Sequence, residues 1–281
     1  MSPCTTLTIL LFISGGRNII FDAGWPQLDS TILRTKNIYK IIKSWVLDYL
    51  SFTISEKILL ESSTQKIYVQ KKYFVSEKKI TIVPTGFNEL QLSKVEKKGN
   101  ISKEIKIPSD YFFFRGKINK EAGLETILDA ARILNGKACF IIASPNLPKY
   151  YLLDSKVQII NNYLDWEELK FLYSKCFAVI GQSSNSKRIN RSLPHKAFES
   201  AFFGKPYITS NSELMNLSWS NKIFTFEGGN SESLASLIIY LLNNKNLAKT
   251  YGQEMHKIYM MKYSQEVISH KILETIDHVS D

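Results

Sequence analysis

The sequence lacks almost everything that would commit it to a membrane span, a metal centre or a covalent nucleophile. No apolar run approaches the ~20 residues needed to cross a bilayer. The opening run, Leu7 to Ile13, has no basic flank and no Ala-x-Ala site after it. That argues against a secretory signal, and a buried strand is expected there instead. Cysteine is scarce: Cys4, Cys139 and Cys176 make an odd number without metal-ligand spacing, two of them beside apolar strand-like runs. A reduced, intracellular protein follows rather than a disulfide framework. The four histidines, His195, His256, His270 and His278, form no HExxH pattern and no cluster with cysteine or aspartate, so no metal is expected. His256, His270 and His278 are expected on the surface of a terminal helix. Neither a GxSxG elbow nor a GxxxxGKS/T phosphate loop occurs. Zinc-finger spacing and the aromatic–basic signature of an RNA-binding sheet are also missing, so nucleic acid is not an expected partner.

What remains is an ordinary globular composition, 44% hydrophobic and 22% charged, in 281 residues. That length allows one large domain or two medium ones, with a full core. The net charge of +10 is unevenly spread. Residues 33–79 carry ten basic side chains (Arg34, Lys36, Lys40, Lys43, Lys57, Lys66, Lys71, Lys72, Lys78 and Lys79) against four acids (Asp48, Glu56, Glu61 and Glu77). Such a stretch is either a solvated lysine-rich face or a surface for an anionic membrane or a phosphorylated substrate.

Apolar periodicity supplies the architecture. Arg17 to Asp22 reads as a strand, followed by a turn at Ala23-Gly24-Trp25-Pro26. Ile38, Ile41, Ile42, Trp45, Val46 and Tyr49 recur at helical spacing within a helix expected from Ser30 to about Leu50. A short strand at Phe52–Ser55 and a helix beginning at Glu56, capped by Ser55, are expected next. Lys79 to Pro84 reads as a strand. From Gln91 to Pro108 the composition turns to lysine, glutamate, serine and glycine, which marks a linker. The expected division is an N-terminal domain over 1–92, with a helix at 264–281 packing back on it, and a C-terminal domain over 93–263. In the second part, strands at Tyr111, Cys139, Val157, Phe177, Tyr207 and Ile223 alternate with helices near Leu124, Asp165, His195 and Ser231. That alternation indicates a parallel sheet with helices on both faces.

The centre of this part is a strand at Phe177, a polar loop from Gly181 to Arg191, a helix entered through Ser192 and Pro194 and stopped at Gly204, and a strand at Pro206. Pro near the first helical position and Gly past the last turn fit the asymmetry of helix ends. A loop feeding a helix N-terminus at the carboxyl end of a parallel strand suits a phosphorylated ligand. Ser183, Ser184, Lys187, Arg188 and Arg191 occupy that loop, and Gly116, Lys117, Lys120 and Gly123 occupy a second loop at the same expected edge. Each loop alone reads equally as solvated surface; the two together favour a diphosphate. Spacing leaves Glu199 either a solvated helix residue or a carboxylate fixed to accept hydrogen bonds from ligand hydroxyls.

Three motifs in order, Ile80 to Asn88, Phe114-Arg115-Gly116-Lys117 with Gly123 to Ala131, and Leu193 to Glu199 with Gly204-Lys205-Pro206, resemble the family 4 glycosyltransferases of the GT-B fold. The resemblance runs from about Asp48 to the end. It implies an α/β fold of two Rossmann-like domains, the N-terminal one shortened. It also implies transfer of a sugar from a nucleoside-diphosphate sugar, with retention and usually without a metal, to a glycan or lipid-linked acceptor in cell-surface polysaccharide or glycolipid synthesis. Glu199 would hold the nucleotide ribose and Lys117 would neutralise the diphosphate. Gly116, Lys120, Ser183, Ser184, Arg188, Arg191, His195 and Lys196 would complete the donor site. Ala122 and Arg191 stand where the family often has a basic and an acidic residue. The implied location is cytoplasmic, at the inner membrane face, with the basic 33–79 region as the contact. A nucleotide-sugar-binding protein without catalysis and a sugar-nucleotide epimerase are the alternatives.

Overall fold

The structure, a computed structural model, describes residues 4–90, 107, 108, 110–148 and 157–280. The expected linker at 91–108 falls almost wholly outside them. The chain divides into two compact units: Met1–Thr85 together with Glu266–Asp281, and Gly86–Gln265.

The first unit is built on three parallel strands in the order β1 (Ile20–Gly24), β2 (Lys57–Leu60), β3 (Ile80–Ile82), with Phe21 level with Ile58 and Ile58 with Ile80. Its helices are α1 (Thr5–Ile13), α2 (Gln27–Arg34), α3 (Ile38–Ile54) and α4 (Ser63–Tyr73). Phe21, Leu28, Phe52, Ile58, Leu60, Val69 and Tyr73 form the core. One buried acid joins three of these helices. Asp48, on α3, accepts from the backbone N–H groups of Gln27 (2.9 Å) and Leu28 (2.8 Å) at the start of α2, and from the Tyr73 hydroxyl (3.0 Å) at the end of α4. It does from a distance what an N-cap side chain does locally. Burial raises its carboxyl pKa, and the backbone donors oppose that rise.

Three expectations fail in this unit. The Leu7–Ile13 run is not a buried strand but most of α1, and Leu7, Leu10 and Ile13 are 54%, 57% and 74% exposed. A solid apolar run has no period to separate helix from strand. The side of α1 that packs inward is polar: Thr5 and Thr8 are buried, the Thr5 hydroxyl donates to Gln27 Oε1 (2.7 Å), and Ser51 of α3 donates to the Thr5 carbonyl (3.2 Å). The single helix expected from Ser30 is two, because Asn37 accepts from the Lys40 N–H (3.2 Å) and caps a new start. The strand and helix expected at Phe52 and Glu56 are exchanged. Phe52 closes α3, Ser55 ends it, and Lys57–Leu60 is the central strand; the cap of the next helix is Ser62, not Ser55.

The second unit follows the alternation closely. Its strands are β4 (Phe112–Arg115), β5 (Phe140–Ala143), β6 (Gln158–Ile160), β7 (Ala178–Ile180), β8 (Tyr207–Ser210) and β9 (Phe224–Phe226). They lie in the order β6-β5-β4-β7-β8-β9, and every pairing is parallel. The helices are α5 (Leu124–Leu134), α6 (Trp166–Lys175), α7 (His195–Phe202), the short α8 (Glu213–Ser218), α9 (Ser231–Asn243) and α10 (Lys245–Lys262). Each face of the sheet has its own core. Phe113, Tyr173, Phe198, Trp219 and Tyr259 lie in one, and Phe112, Phe114, Ile127, Leu234 and Ile238 in the other. Asp165 and Glu168 form the expected capping box. Helix α10 lies against the end of α7 so closely that a Cβ on Gly252 would collide with the Gly204 carbonyl. There His256, expected at the surface, is partly buried with Nδ1 3.1 Å from the Ala201 carbonyl; His270 and His278 are exposed on the terminal helix Gln265–Ser280. The order of β4 and β7 makes a switch point, since the chain builds outward from β4 in one direction and from β7 in the other.

Replacing Asp48 with Ala strands two helix-end N–H groups and a buried hydroxyl. The first unit should lose at least about 2 kcal/mol, read as an earlier denaturant midpoint with the second unit's transition unmoved.

Candidate functional site

The two polar loops meet at the carboxyl edge of the larger sheet. Ser183 N–H donates to the Ala122 carbonyl (3.1 Å), and Gly229 N–H to the Ser183 carbonyl (2.8 Å). The contact is tight enough that Gly123, at φ +64°, must be glycine: a Cβ there would lie 2.5 Å from the Ser184 nitrogen. Arg188 reaches across to Glu121, with Nη1 3.3 Å from Oε1. Packing the loops together consumes part of the expected donor set. Ser183 is fully buried, with no hydrogen-bond partner for its hydroxyl among the described residues, and Ser184 Oγ accepts from the Ser186 N–H (3.3 Å).

Gly116, Lys117 and Lys120 lie together in the turn after β4. Lys117 and Lys120 line an open groove of about 660 Å³ with Asn119, Asn146, Pro148 and Tyr163, at the ends of β4, β5 and β6. His195 is exposed on the first turn of α7, and Arg191 is partly exposed after the 3-10 turn Lys187–Asn190.

Glu199 is neither of the alternatives its spacing left open in simple form. It is 3% exposed and held from two elements. Arg115, the last residue of β4, grips it as a fork, Nε to Oε2 at 3.0 Å and Nη2 to Oε1, and the Tyr173 hydroxyl of α6 donates to Oε2. A carboxylate this deep needs such partners to offset the water it has lost. Burial, then the Glu199 charge, pushes the Tyr173 hydroxyl well above its ordinary pKa. Burial alone would lower the Arg115 pKa, but the charge and hydrogen bonds of Glu199 more than reverse that and keep the guanidinium charged. Lys196 is the opposite case: burial, then the Arg115 charge, lowers its pKa to about 7.

Arg115 and Tyr173 were not singled out as site residues from the sequence. The signal for Arg115 was a lone charge ending an aromatic strand, Phe112-Phe113-Phe114. Tyr173 carries no such signal. Cys176 is buried and its thiol is pushed up to about 12, which removes it as a nucleophile. Among the described residues, no group of three or more His, Cys, Asp or Glu side chains could hold a metal ion.

Residues 97–257, more than half of the chain, match the family of glycosyl transferases group 1, and the chain belongs to that family. Among solved structures, sucrose-phosphate synthase from Thermosynechococcus elongatus is similar over 98% of this chain and 71% of its own, with a TM-score of 0.75 at 13% identity. HepE from Anabaena, solved with UDP, is similar over 98% and 76%, with a TM-score of 0.73 at 12% identity. A glycosyltransferase from Rickettsia africae is similar over 98% and 80%, with a TM-score of 0.67 at 15% identity. Comparison with curated proteins gives no match. The fold is α/β of GT-B type, with the six-stranded unit as its Rossmann-like C-terminal half.

Replacing Arg115 with Ala leaves Glu199 buried with Tyr173 alone. Removing one partner of a fully buried pair costs about 3–5 kcal/mol. With 34% of the Arg115 side chain exposed, a loss of about 2–3 kcal/mol is expected in denaturant unfolding.

Proposed function

We propose that this chain is a retaining glycosyltransferase that takes a nucleoside-diphosphate sugar and passes the sugar to a glycan or lipid-linked acceptor in cell-surface polysaccharide or glycolipid synthesis. Its family membership gives the reaction class. The observation that carries the donor class is the placing of Lys117 and Lys120 in the turn after β4 and of the Lys196 ammonium beside Gly116, from the N-terminus of α7. That puts lysines at the end of parallel strands, the place where open α/β sheets bind phosphorylated ligands. HepE, whose fold this chain shares, has been solved with UDP-glucose, which supports the same donor class here.

In this reading the bond from the anomeric carbon to the diphosphate oxygen breaks, its electron pair leaving with the nucleoside diphosphate. The acceptor hydroxyl attacks from the same face and passes its proton to the departing phosphate oxygen. Lys117 and the α7 end stabilise the charge that builds on the leaving group. Glu199 takes the ribose. Two donors already occupy Oε2 and one occupies Oε1, so Oε1 retains acceptor capacity for a ligand hydroxyl.

The reading also includes contact with an anionic membrane at its cytoplasmic face. Helix α3 turns Ile38, Ile42, Val46 and Leu50 outward beside exposed Lys36, Lys40 and Lys43. Apolar side chains flanked by lysine suit an interface lying on, not across, a bilayer. No helix among the described residues is long and apolar enough to cross a membrane.

Calorimetric titration with UDP, GDP and ADP in turn tests the donor site. One of them should bind, and Glu199→Ala should abolish that binding; no binding of any would sink the reading. Lys117→Ala should lower turnover by at least about tenfold, the scale of a lost charged contact to a leaving group. Turnover equal to the unaltered chain would remove Lys117 from the mechanism, and binding without turnover would leave a nucleotide-sugar-binding protein. In flotation assays the chain should rise with vesicles containing anionic lipid and not with neutral ones, and Lys36→Glu with Lys40→Glu and Lys43→Glu should stop it.

A further inference from the structure

Helix α1 sits on the smaller unit inside out. Leu10, Leu11 and Ile13 are exposed, whereas Thr5 and Thr8 are buried. Apolar burial is what docks a helix, so an amphipathic helix ordinarily turns the other way. The reversal matches what lies beneath the first turn. An open cavity of about 300 Å³ is lined there by Cys4, Thr5 and Thr6 and, from α2, by Gln27, Ser30 and Arg34. Leu7 is the single aliphatic side chain on its wall among the described residues.

The groups left over on this wall are donors. The Thr5 hydroxyl donates to Gln27 Oε1 (2.7 Å), which leaves the Nε2 end of that amide to the cavity. The Thr6 and Ser30 hydroxyls and the Arg34 guanidinium make no hydrogen bond or ion pair among the described residues. Thr31 is already engaged, donating to the Gln27 carbonyl (3.0 Å) and lying 2.7 Å from Ser44 Oγ. No aspartate or glutamate lines the cavity among the described residues. Asp29, between Gln27 and Ser30 in the chain, is buried and accepts from the Tyr68 hydroxyl (2.8 Å). A guanidinium, an amide N–H₂ and two hydroxyls without a carboxylate among them are complementary to an oxyanion. A carboxylate offers two oxygens in one plane. A phosphate offers them around a centre, which suits an arginine fork on one side and donors from a second helix on the other.

We propose that the cavity between α1 and α2 binds a phosphate monoester, with Arg34 as its cation and Thr6, Gln27 and Ser30 as hydrogen-bond donors. Thr5 is a positioning residue, since it fixes which end of the Gln27 amide faces the ligand. The volume is at the small end of ligand cavities and admits a phosphate on a short stem such as glycerol. Two sources share that chemistry, a free phosphate monoester and the headgroup of phosphatidic acid in a bilayer. The donor edge belongs to the other unit, so this site stands or falls without the donor reading.

Occupancy can be read at the wall itself. Cys4 lines the cavity, and Cys139 is an exposed thiol in the other unit that serves as the control. The full chain is alkylated with iodoacetamide, and the rate at each of the two is followed by peptide mass spectrometry. Glycerol 3-phosphate should slow Cys4 severalfold and saturably while Cys139 is unchanged, and glycerol should slow neither. Phosphatidylcholine vesicles with and without phosphatidic acid form the second arm, and protection by these alone assigns the site to a headgroup. Arg34→Gln should raise the concentration needed for protection at least about tenfold, the scale of one lost charge-assisted contact. Ser30→Leu keeps every charge and fills the cavity, so it should abolish protection, which separates a built site from general attraction to a basic surface. Unchanged Cys4 reactivity in both arms, or protection that survives either variant, would overturn the inference.

Discussion

The ion pair of Arg115 with Glu199 is the constraint around which the larger unit is arranged. It joins the last residue of the central strand β4 to the middle of α7, and Tyr173 adds a third element, α6. Both charges sit at the carboxyl edge of the sheet, where the apolar core ends and the polar loops begin. A buried pair of this kind is a poor source of net stability compared with apolar packing, but each half makes the other necessary. Once Glu199 is inside, Arg115 must face it, and once both are placed, the register of α7 on the sheet has no freedom to slip.

That register decides what reaches the edge. With Glu199 turned inward, Lys196, three residues earlier, comes up beside the first turn and leans across Gly116. The electrostatics follow from the same placement. Arg115 is kept charged by its partner, and the burial and like charge around Lys196 leave its amine poised near neutrality. The loops are fixed differently, by backbone contacts at Gly123 and by Arg188 with Glu121. The edge thus combines a floor fixed by these contacts with a few long cationic side chains.

The second unit was legible in the sequence because each signal was local. Pro194 and Gly204 bracket α7, Asp165 and Glu168 cap α6, and the apolar strands repeat at regular spacing. The first unit was not, because its decisive contacts are long-range. Lys57–Leu60 is a strand because β1 and β3 flank it, though its sequence also suits a helix. Thr5 and Thr8 face inward because Gln27 and Ser51 receive them. The site was legible by position and less so by role. Gly116, Lys117, Lys120 and Lys196 fall at one edge as expected, whereas Ser183 and Arg188 are drawn into holding the loops together. The partner of Glu199 could not be read from spacing, since Arg115 lies 84 residues away in the chain.

The two units differ in how the chain supplies them. The larger is one uninterrupted stretch, Gly86–Gln265, whereas the smaller takes residues from both ends, with Glu266–Asp281 added last. A ribosome working at roughly 5–20 residues per second releases the first segment long before the terminal helix. During that interval the early segment stands without its last element. All residues of the larger unit are made meanwhile, so the order of synthesis lets it close first and makes the smaller unit the last to be completed.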